Sequence, residues 1–165
     1  MRRVLVTCLL LTLSACVTTM PQTRGEFKDL AANHPTWYIA EKYLAKRSFD
    51  DVVRTMDNKW QACYNASKTT TRNSGGMTTS QYSDEYHPKT KKVNNSLVEM
   101  TIQMTTKGMV MLDKTPPGGY YHVALDIKRA PDGKAALTWY SANAWKEEWT
   151  KNKQWADGKN VPCDE

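Results

Sequence analysis

The chain has 165 residues and a formal net charge of +6, from 23 Lys and Arg against 17 Asp and Glu. This length suits a single domain that folds around its own core. The basic residues are scattered, with a local cluster at Lys89 to Lys92 (KTKK). A nucleic-acid interface needs Lys and Arg gathered on one element, so we expect no nucleic-acid partner.

The first fifteen residues predict an export signal. Arg2 and Arg3 are followed by an apolar run from Val4 to Leu13, which is too short to span a bilayer core that needs roughly 20 residues. Leu13-Ser14-Ala15-Cys16 resembles the lipobox of bacterial lipoproteins, in which a peptidase cuts before a lipidated cysteine. The alternative is an ordinary signal peptide in which Cys16 has no role.

The lipobox resemblance implies that residues 1–15 are removed and that Cys16 carries acyl chains. The mature chain then has 165 − 15 = 150 residues and a formal charge of 21 − 17 = +4. Val17 stands where an aspartate resembles an inner-membrane retention signal, so the implied location is the outer membrane, facing the periplasm. Residues 16–34 are polar and predict a lipidated tether with at most a turn of helix, and residues 35–165 a single domain.

The cysteines predict one disulfide. Cys8 leaves with the signal and Cys16 is acylated, so Cys63 and Cys163 are left in an oxidising compartment. Two separate reduced thiols are the alternative. Neither cysteine has a second cysteine or a histidine at zinc-ligand spacing, so we expect no metal.

The N-terminal half of the domain predicts helices followed by a loop. Thr36 can cap a short helix with Trp37, Ala40 and Leu44 on one face. Ser48 and Asp51 form a capping box for a second helix. The apolar face of that second helix contains Phe49, Val53, Met56, Trp60 and Cys63. Residues 65–81 contain Gly75-Gly76 and little apolar content, and predict a flexible loop.

The C-terminal half predicts an antiparallel meander and a closing helix. Residues with a period of two predict two strands: Val98, Met100, Ile102 and Met104 face inward on one, and Tyr121, Val123, Leu125 and Ile127 on the other, with His122 and Asp126 outward. Residues 109–112 suit a further strand. The turn APDGK predicts a hairpin to residues 135–140. A long helix over about 142–157 presents Trp145 and Trp149, pairs Glu147 with Lys151 and stops at Gly158.

Helices and strands kept apart predict an α+β fold, with three to five antiparallel strands packed on one face by helices. The element order resembles helix-grip domains, in which a curved sheet wraps a long C-terminal helix, and also small envelope lipoproteins.

Three groups of residues are candidates for function. His34 and His87 precede prolines in loop-like segments, whereas His122 and Asp126 share a predicted strand face and suggest a polar centre. Met100, Met104, Met109 and Met111 could hold Cu(I), but a strand core or the lining of an apolar pocket is favoured. Trp145 and Trp149 are expected to face the sheet; Trp155 could be half exposed and serve a glycan, a lipid interface or a protein partner, but core packing is favoured.

These features predict a non-catalytic lipoprotein that binds an envelope protein or an apolar ligand. The candidate ligand or partner surface consists of Met100, Met104, Tyr121, Trp145, Trp149 and Trp155. Two alternatives stay open, namely a hydrolase centred on His122 and Asp126 and a copper-handling protein that uses the methionines. We expect no cofactor.

Overall fold

The computed structural model describes residues 20–74, 77–107 and 115–163, without the side chains of 70–74 and 77–82. The predicted signal peptide, Cys16, Met109, Met111 and the strand predicted at 109–112 lie outside the described residues.

The fold is α+β, as predicted, with one antiparallel sheet in the order β1-β6-β5-β4-β3-β2. Its six strands exceed the three to five expected. The described helices and strands are α1 (Arg24–Asn33), β1 (Tyr38–Ser48), α2 (Phe49–Tyr64), β2 (Ser67–Ser74), β3 (Met77–Asn94), β4 (Leu97–Lys107), β5 (Tyr120–Arg129), β6 (Lys134–Ala142) and α3 (Lys146–Ala156).

The helix predicted after Pro35 is wrong, because these residues form β1, which pairs with β6. Alternate residues of this strand, among them Tyr43 and Ala45, face the core. Leu44, assigned to the predicted helix face, is 55% exposed. The chosen apolar positions fitted a helical period by chance, whereas the buried ones have the period of two that a strand imposes.

The flexible loop predicted for 65–81 is also wrong. Residues 67–74 and 77–81 belong to β2 and β3, which pair with each other at the sheet edge; Gly75 and Gly76 lie outside the described residues. Threonine-rich sequence has a high strand propensity, and an edge strand needs no apolar face once backbone hydrogen bonds hold it. Low apolar content therefore does not distinguish such an edge hairpin from a loop.

The helix predicted after Ser48 is confirmed as α2. The Ser48 hydroxyl accepts a hydrogen bond from the Asp51 amide at 3.3 Å, as the capping box requires. The buried stripe contains Val52 rather than the half-buried Val53. The predicted disulfide joins Cys63 to Cys163, with a Cα–Cα distance of 5.2 Å.

Helices cover the sheet on both faces, rather than on one as predicted. α2 and α3 pack over the main core, where Met56, Trp60, Trp139 and Trp149 are buried. α1 lies against β1, β5 and β6 on the opposite face, where Phe27 stacks on Tyr121 with ring centroids 5.9 Å apart. The last part of the predicted tether is therefore a helix packed on the domain.

A bulge in β5 reverses the facing predicted for its first residues. Ile102 of β4 lies opposite Val123, but Gln103 lies opposite Tyr121, so His122 is the extra residue. A bulge re-aims the side chains beside it. Tyr121 therefore meets α1, while His122 turns toward the α2 and α3 face, the reverse of the prediction.

The C-terminal hairpin and helix are confirmed. Gly133 occupies the turn between β5 and β6 with φ +80°, and Ala130 donates to the Lys134 carbonyl at 2.8 Å. α3 is shorter than predicted, because Asn143–Trp145 form a 3₁₀ turn before it. Lys151 pairs with Glu148 at 3.2 Å, rather than with Glu147 as predicted.

Candidate ligand-binding cleft

An open cleft of about 510 Å³ lies where the end of α2, the start of β2, strand β3 and the start of α3 meet. We call it the aromatic cleft. Its lining is mostly apolar and consists of Cys63, Tyr64, Ala66, Lys68, Tyr86, Ala144, Trp145, Glu148 and Lys151. This volume falls within the range of about 300–1,000 Å³ typical of small-molecule sites.

Aromatic rings form one wall of the cleft around Trp145. The centroid of its ring lies 6.1 Å from that of Tyr64 and 5.9 Å from that of Tyr86. The His122 ring lies 5.6 Å from Trp145 and 5.7 Å from Tyr86. These spacings are those of tilted and edge-to-face aromatic pairs, which hold each ring in place. The cleft therefore presents a fixed aromatic wall.

A buried hydrogen-bond network supports the cleft from below. Asn152 is fully buried on α3; it accepts from Trp60 Nε1 at 2.6 Å and donates to the Tyr64 hydroxyl at 2.9 Å. The Tyr64 hydroxyl in turn donates to Glu148. Satisfied buried networks of this kind rigidify a site. The Tyr64 ring and the Glu148 carboxylate are thus held in fixed positions at the cleft.

The charges at the cleft are mixed. Glu148 accepts from Lys151 at 3.2 Å, and Lys68 is exposed at the start of β2. Burial lowers the pKa of His122, partly offset by the negative charge of Asp84. A lowered pKa favours the neutral imidazole at neutral pH. His122 therefore adds to the aromatic wall rather than a positive charge.

His122 and Asp126 do not form the polar centre predicted for them. His122 packs behind the cleft against Trp145 and Tyr86, whereas Asp126 lies on the α1 face, where it accepts from Arg24 at 2.5 Å and from Lys28 at 2.6 Å. Burial opposes ionisation of Asp126, but these two hydrogen bonds outweigh it and hold the pKa of the carboxyl below its usual value. The two side chains are separated by the sheet.

The predicted surface residues occupy different parts of the molecule. Trp145 lines the aromatic cleft. Met100, Trp149 and Trp155 are buried in the core, so Trp155 packs in the core, as the sequence favoured, and is not half exposed. Its Nε1 donates to the Val161 carbonyl at 2.9 Å, because the C-terminal segment returns over it.

The other predicted candidates have structural contacts. Met104 is half-buried on β4 opposite Tyr86, and Tyr121 packs on α1. His34 is exposed, and the His87 ring is 3.0 Å from the Thr105 hydroxyl. Within 20–74, 77–107 and 115–163, no three His, Cys, Asp or Glu side chains are grouped to hold a metal ion.

Most residues of the cleft were not predicted as site residues, among them Tyr64, Lys68, Tyr86 and Glu148. Tyr64 follows Trp60 by four positions on the buried stripe of α2, and Glu148 precedes Asn152 by four on α3. This helical spacing could have placed both residues beside the core. Lys68 of β2 lies in the predicted loop, and Tyr86 of β3 lies in a stretch with no predicted element, so neither residue gave a signal.

No helix among the described residues is long and apolar enough to cross a membrane. No protein-family model matches the chain, and no curated protein matches it either.

Proposed function

We propose that this chain is a non-catalytic, lipid-anchored envelope protein that binds an apolar ligand in the aromatic cleft. The observation that carries the proposal is the fixed wall formed by Tyr64, Tyr86 and Trp145 around a cleft of about 510 Å³. Pockets with an apolar lining and a few placed polar groups are the usual binding sites of small molecules.

The lining also suggests the chemistry of the ligand. A flat ring or an alkyl chain can lie against Trp145 and Tyr86, and a polar end can meet Lys68, Lys151 or Glu148 at the rim. Aromatic side chains contribute large contact areas at little entropic cost. We therefore expect an amphiphilic ligand with an apolar body and a polar end.

The proposed location rests on the N-terminal sequence and on the disulfide. The lipobox resemblance at Leu13 to Cys16 supports lipid anchoring, and Val17 supports the outer membrane, facing the periplasm. The Cys63–Cys163 disulfide is compatible with this location, because disulfides persist in oxidising compartments such as the bacterial periplasm.

The separation of His122 from Asp126 supports binding rather than hydrolysis. The likeness to helix-grip domains agrees with a ligand held beside the C-terminal helix, since Glu148 and Lys151 of the cleft lie in the first half of α3 and Trp145 just before it. An envelope protein that inserts a side chain into the cleft is the alternative partner, and the experiment below separates the two.

The ligand proposal is tested with an aromatic probe. The chain from residue 16 onward, carrying Cys16→Ser so that no acyl chain is added, is titrated with 1-anilinonaphthalene-8-sulfonate. We expect saturable binding with blue-shifted emission. Trp145→Ala should weaken this binding by about tenfold, which corresponds to about 1.4 kcal/mol.

Val93→Ala is the control, because Val93 lies outside the cleft and is 45% exposed. This variant should bind the probe as the parent chain does. Equal binding by parent and Trp145→Ala would contradict the cleft proposal. Native mass spectrometry of protein extracted from membranes then separates the two partners: a co-purified small molecule supports the ligand, and a bound protein supports the alternative.

A further inference from the structure

Trp37 stands out among the described residues because a large apolar side chain is held almost fully in water. It is 73% exposed, in the turn between α1 and β1. The backbone of this turn is fixed, since Trp37 donates to the His34 carbonyl at 3.1 Å and accepts from the Asn143 amide at 2.9 Å. The exposure of the ring is thus a property of an ordered segment.

Trp37 lines one side of an apolar groove of about 450 Å³. Met20 and Leu30 line it, together with Tyr38, and Met20 is 43% exposed. We call this surface the N-terminal groove. Exposed apolar surface gathered in one place is typical of an interaction site.

The length of chain before Met20 identifies the occupant. Met20 is four residue steps from Cys16, and an extended chain covers at most about 3.6 Å per step, or about 14 Å in total. A longer stand-off is excluded because α1 is packed on the sheet, with Phe27 and Ala31 buried. If Cys16 carries the acyl chains, the N-terminal groove lies within about 14 Å of the lipid headgroups.

We propose that the N-terminal groove docks on the membrane surface, with the Trp37 ring inserted at the level of the headgroups. Tryptophan is enriched at this level of the bilayer, because its ring is amphipathic. This inference rests on the lipid anchor of the proposed function. It does not depend on the ligand of the aromatic cleft. The domain is thereby held on the membrane in one orientation instead of moving on a flexible tether.

Quenching of tryptophan fluorescence by brominated lipid tests this inference. The mature lipidated protein is purified from membranes and reconstituted into phosphatidylethanolamine and phosphatidylglycerol vesicles. The vesicles also contain phosphatidylcholine brominated near the headgroup end of its acyl chains. We expect clear quenching of the wild type and loss of most of it in Trp37→Ala. Trp145→Ala, which removes the half-buried tryptophan of the aromatic cleft, should keep the quenching.

Each other result overturns the inference. An unquenched wild type, or equal quenching in wild type and Trp37→Ala, would show that Trp37 is not at the membrane. Protection of Trp37 from acrylamide without quenching by brominated lipid would indicate that a second copy or another protein covers the groove. The intact mass of the same sample separates the causes: a missing acyl mass refutes the anchor as well, whereas an acylated protein with an unquenched Trp37 refutes docking alone.

Discussion

The ion pairs between α1 and β5 lead to a prediction about what holds the N-terminal helix to the domain. The Asp126 side chain is 7% exposed and accepts from both Arg24 and Lys28. Removing one member of a buried pair costs about 3–5 kcal/mol, because the remaining charge loses its partner. Arg24 keeps Glu99 at 3.2 Å and the Leu125 carbonyl at 3.0 Å, so the lower value applies. We expect Asp126→Asn to lower the free energy of unfolding by about 3 kcal/mol.

Urea denaturation followed by far-ultraviolet circular dichroism measures this loss. With a slope of about 2 kcal/mol per molar urea, the midpoint should fall by about 1.5 M. The folded-state pKa of Asp126 is lowered, so the stabilisation is present above the ordinary carboxyl pKa of about 3.9 and is lost as the pH falls below it. The difference in free energy of unfolding between wild type and Asp126→Asn should therefore become smaller in acid.

Asp132→Asn is the control for this experiment. Asp132 is an exposed carboxylate that pairs with Lys134 in the β5–β6 turn, and the variant should unfold close to the wild type. Hydrogen exchange should also show α1 opening more often in Asp126→Asn than in the control. The ion pairs with Asp126 do not hold α1 in place if Asp126→Asn and Asp132→Asn lower the urea midpoint equally. The same conclusion follows if the stability difference between wild type and Asp126→Asn does not depend on pH.

Three further predictions follow from buried or linked groups. Replacing Cys63 and Cys163 together by alanine should lower the free energy of unfolding by about 4 kcal/mol, since the disulfide closes a loop of 100 residues. Calorimetry compares this double variant with oxidised and with reduced wild type. Equal melting temperatures in all three samples would contradict the prediction. Asn152→Leu leaves its buried hydrogen-bond partners unsatisfied and should lower the free energy of unfolding, measured by urea denaturation, by about 3 kcal/mol. An unchanged midpoint would show that this network does not stabilise the fold. The hydrogen bond to Asp157, together with burial, raises the pKa of Tyr43 to about 12. The free energy of unfolding should therefore fall as the pH rises above 10, because the phenol ionises first in the unfolded chain. Ultraviolet titration should show a late-ionising tyrosine that is absent in Tyr43→Phe.

The sequence predicted the parts of the fold in which local patterns and burial agree. α2 combines a capping serine with a single apolar stripe, and the β5–β6 hairpin combines alternation with glycine at the turn. β1 was not predicted because its pattern fitted a helix nearly as well. The hairpin of β2 and β3 was not predicted because backbone pairing holds it without an apolar face that a sequence pattern could show. The extra residue at His122 follows from the register between β4 and β5, which no local pattern encodes.

The candidate site was predictable only in part for the same reason. Trp145 and the Cys63–Cys163 pair were identified by residue type and position. Tyr86 and Glu148 become neighbours of Trp145 only after the sheet and α3 are assembled. Asp126 was predicted in a polar centre but instead anchors α1. This role was not predictable, because the residues of α1 were assigned to a tether and the sheet was therefore expected to be covered on one face.

The pairing of the first strand with the last has a consequence for how the chain folds. Tyr38 of β1 lies opposite Ala142 of β6, which is 142 − 38 = 104 residues away, and the disulfide spans a similar distance. Contacts between such distant residues slow folding, because the intervening chain loses conformational entropy before the contacts that compensate for this loss are formed. While the chain is being synthesised, β1 therefore cannot pair with β6 until nearly all of the protein has emerged from the ribosome, and its edge stays open to chaperones or to aggregation.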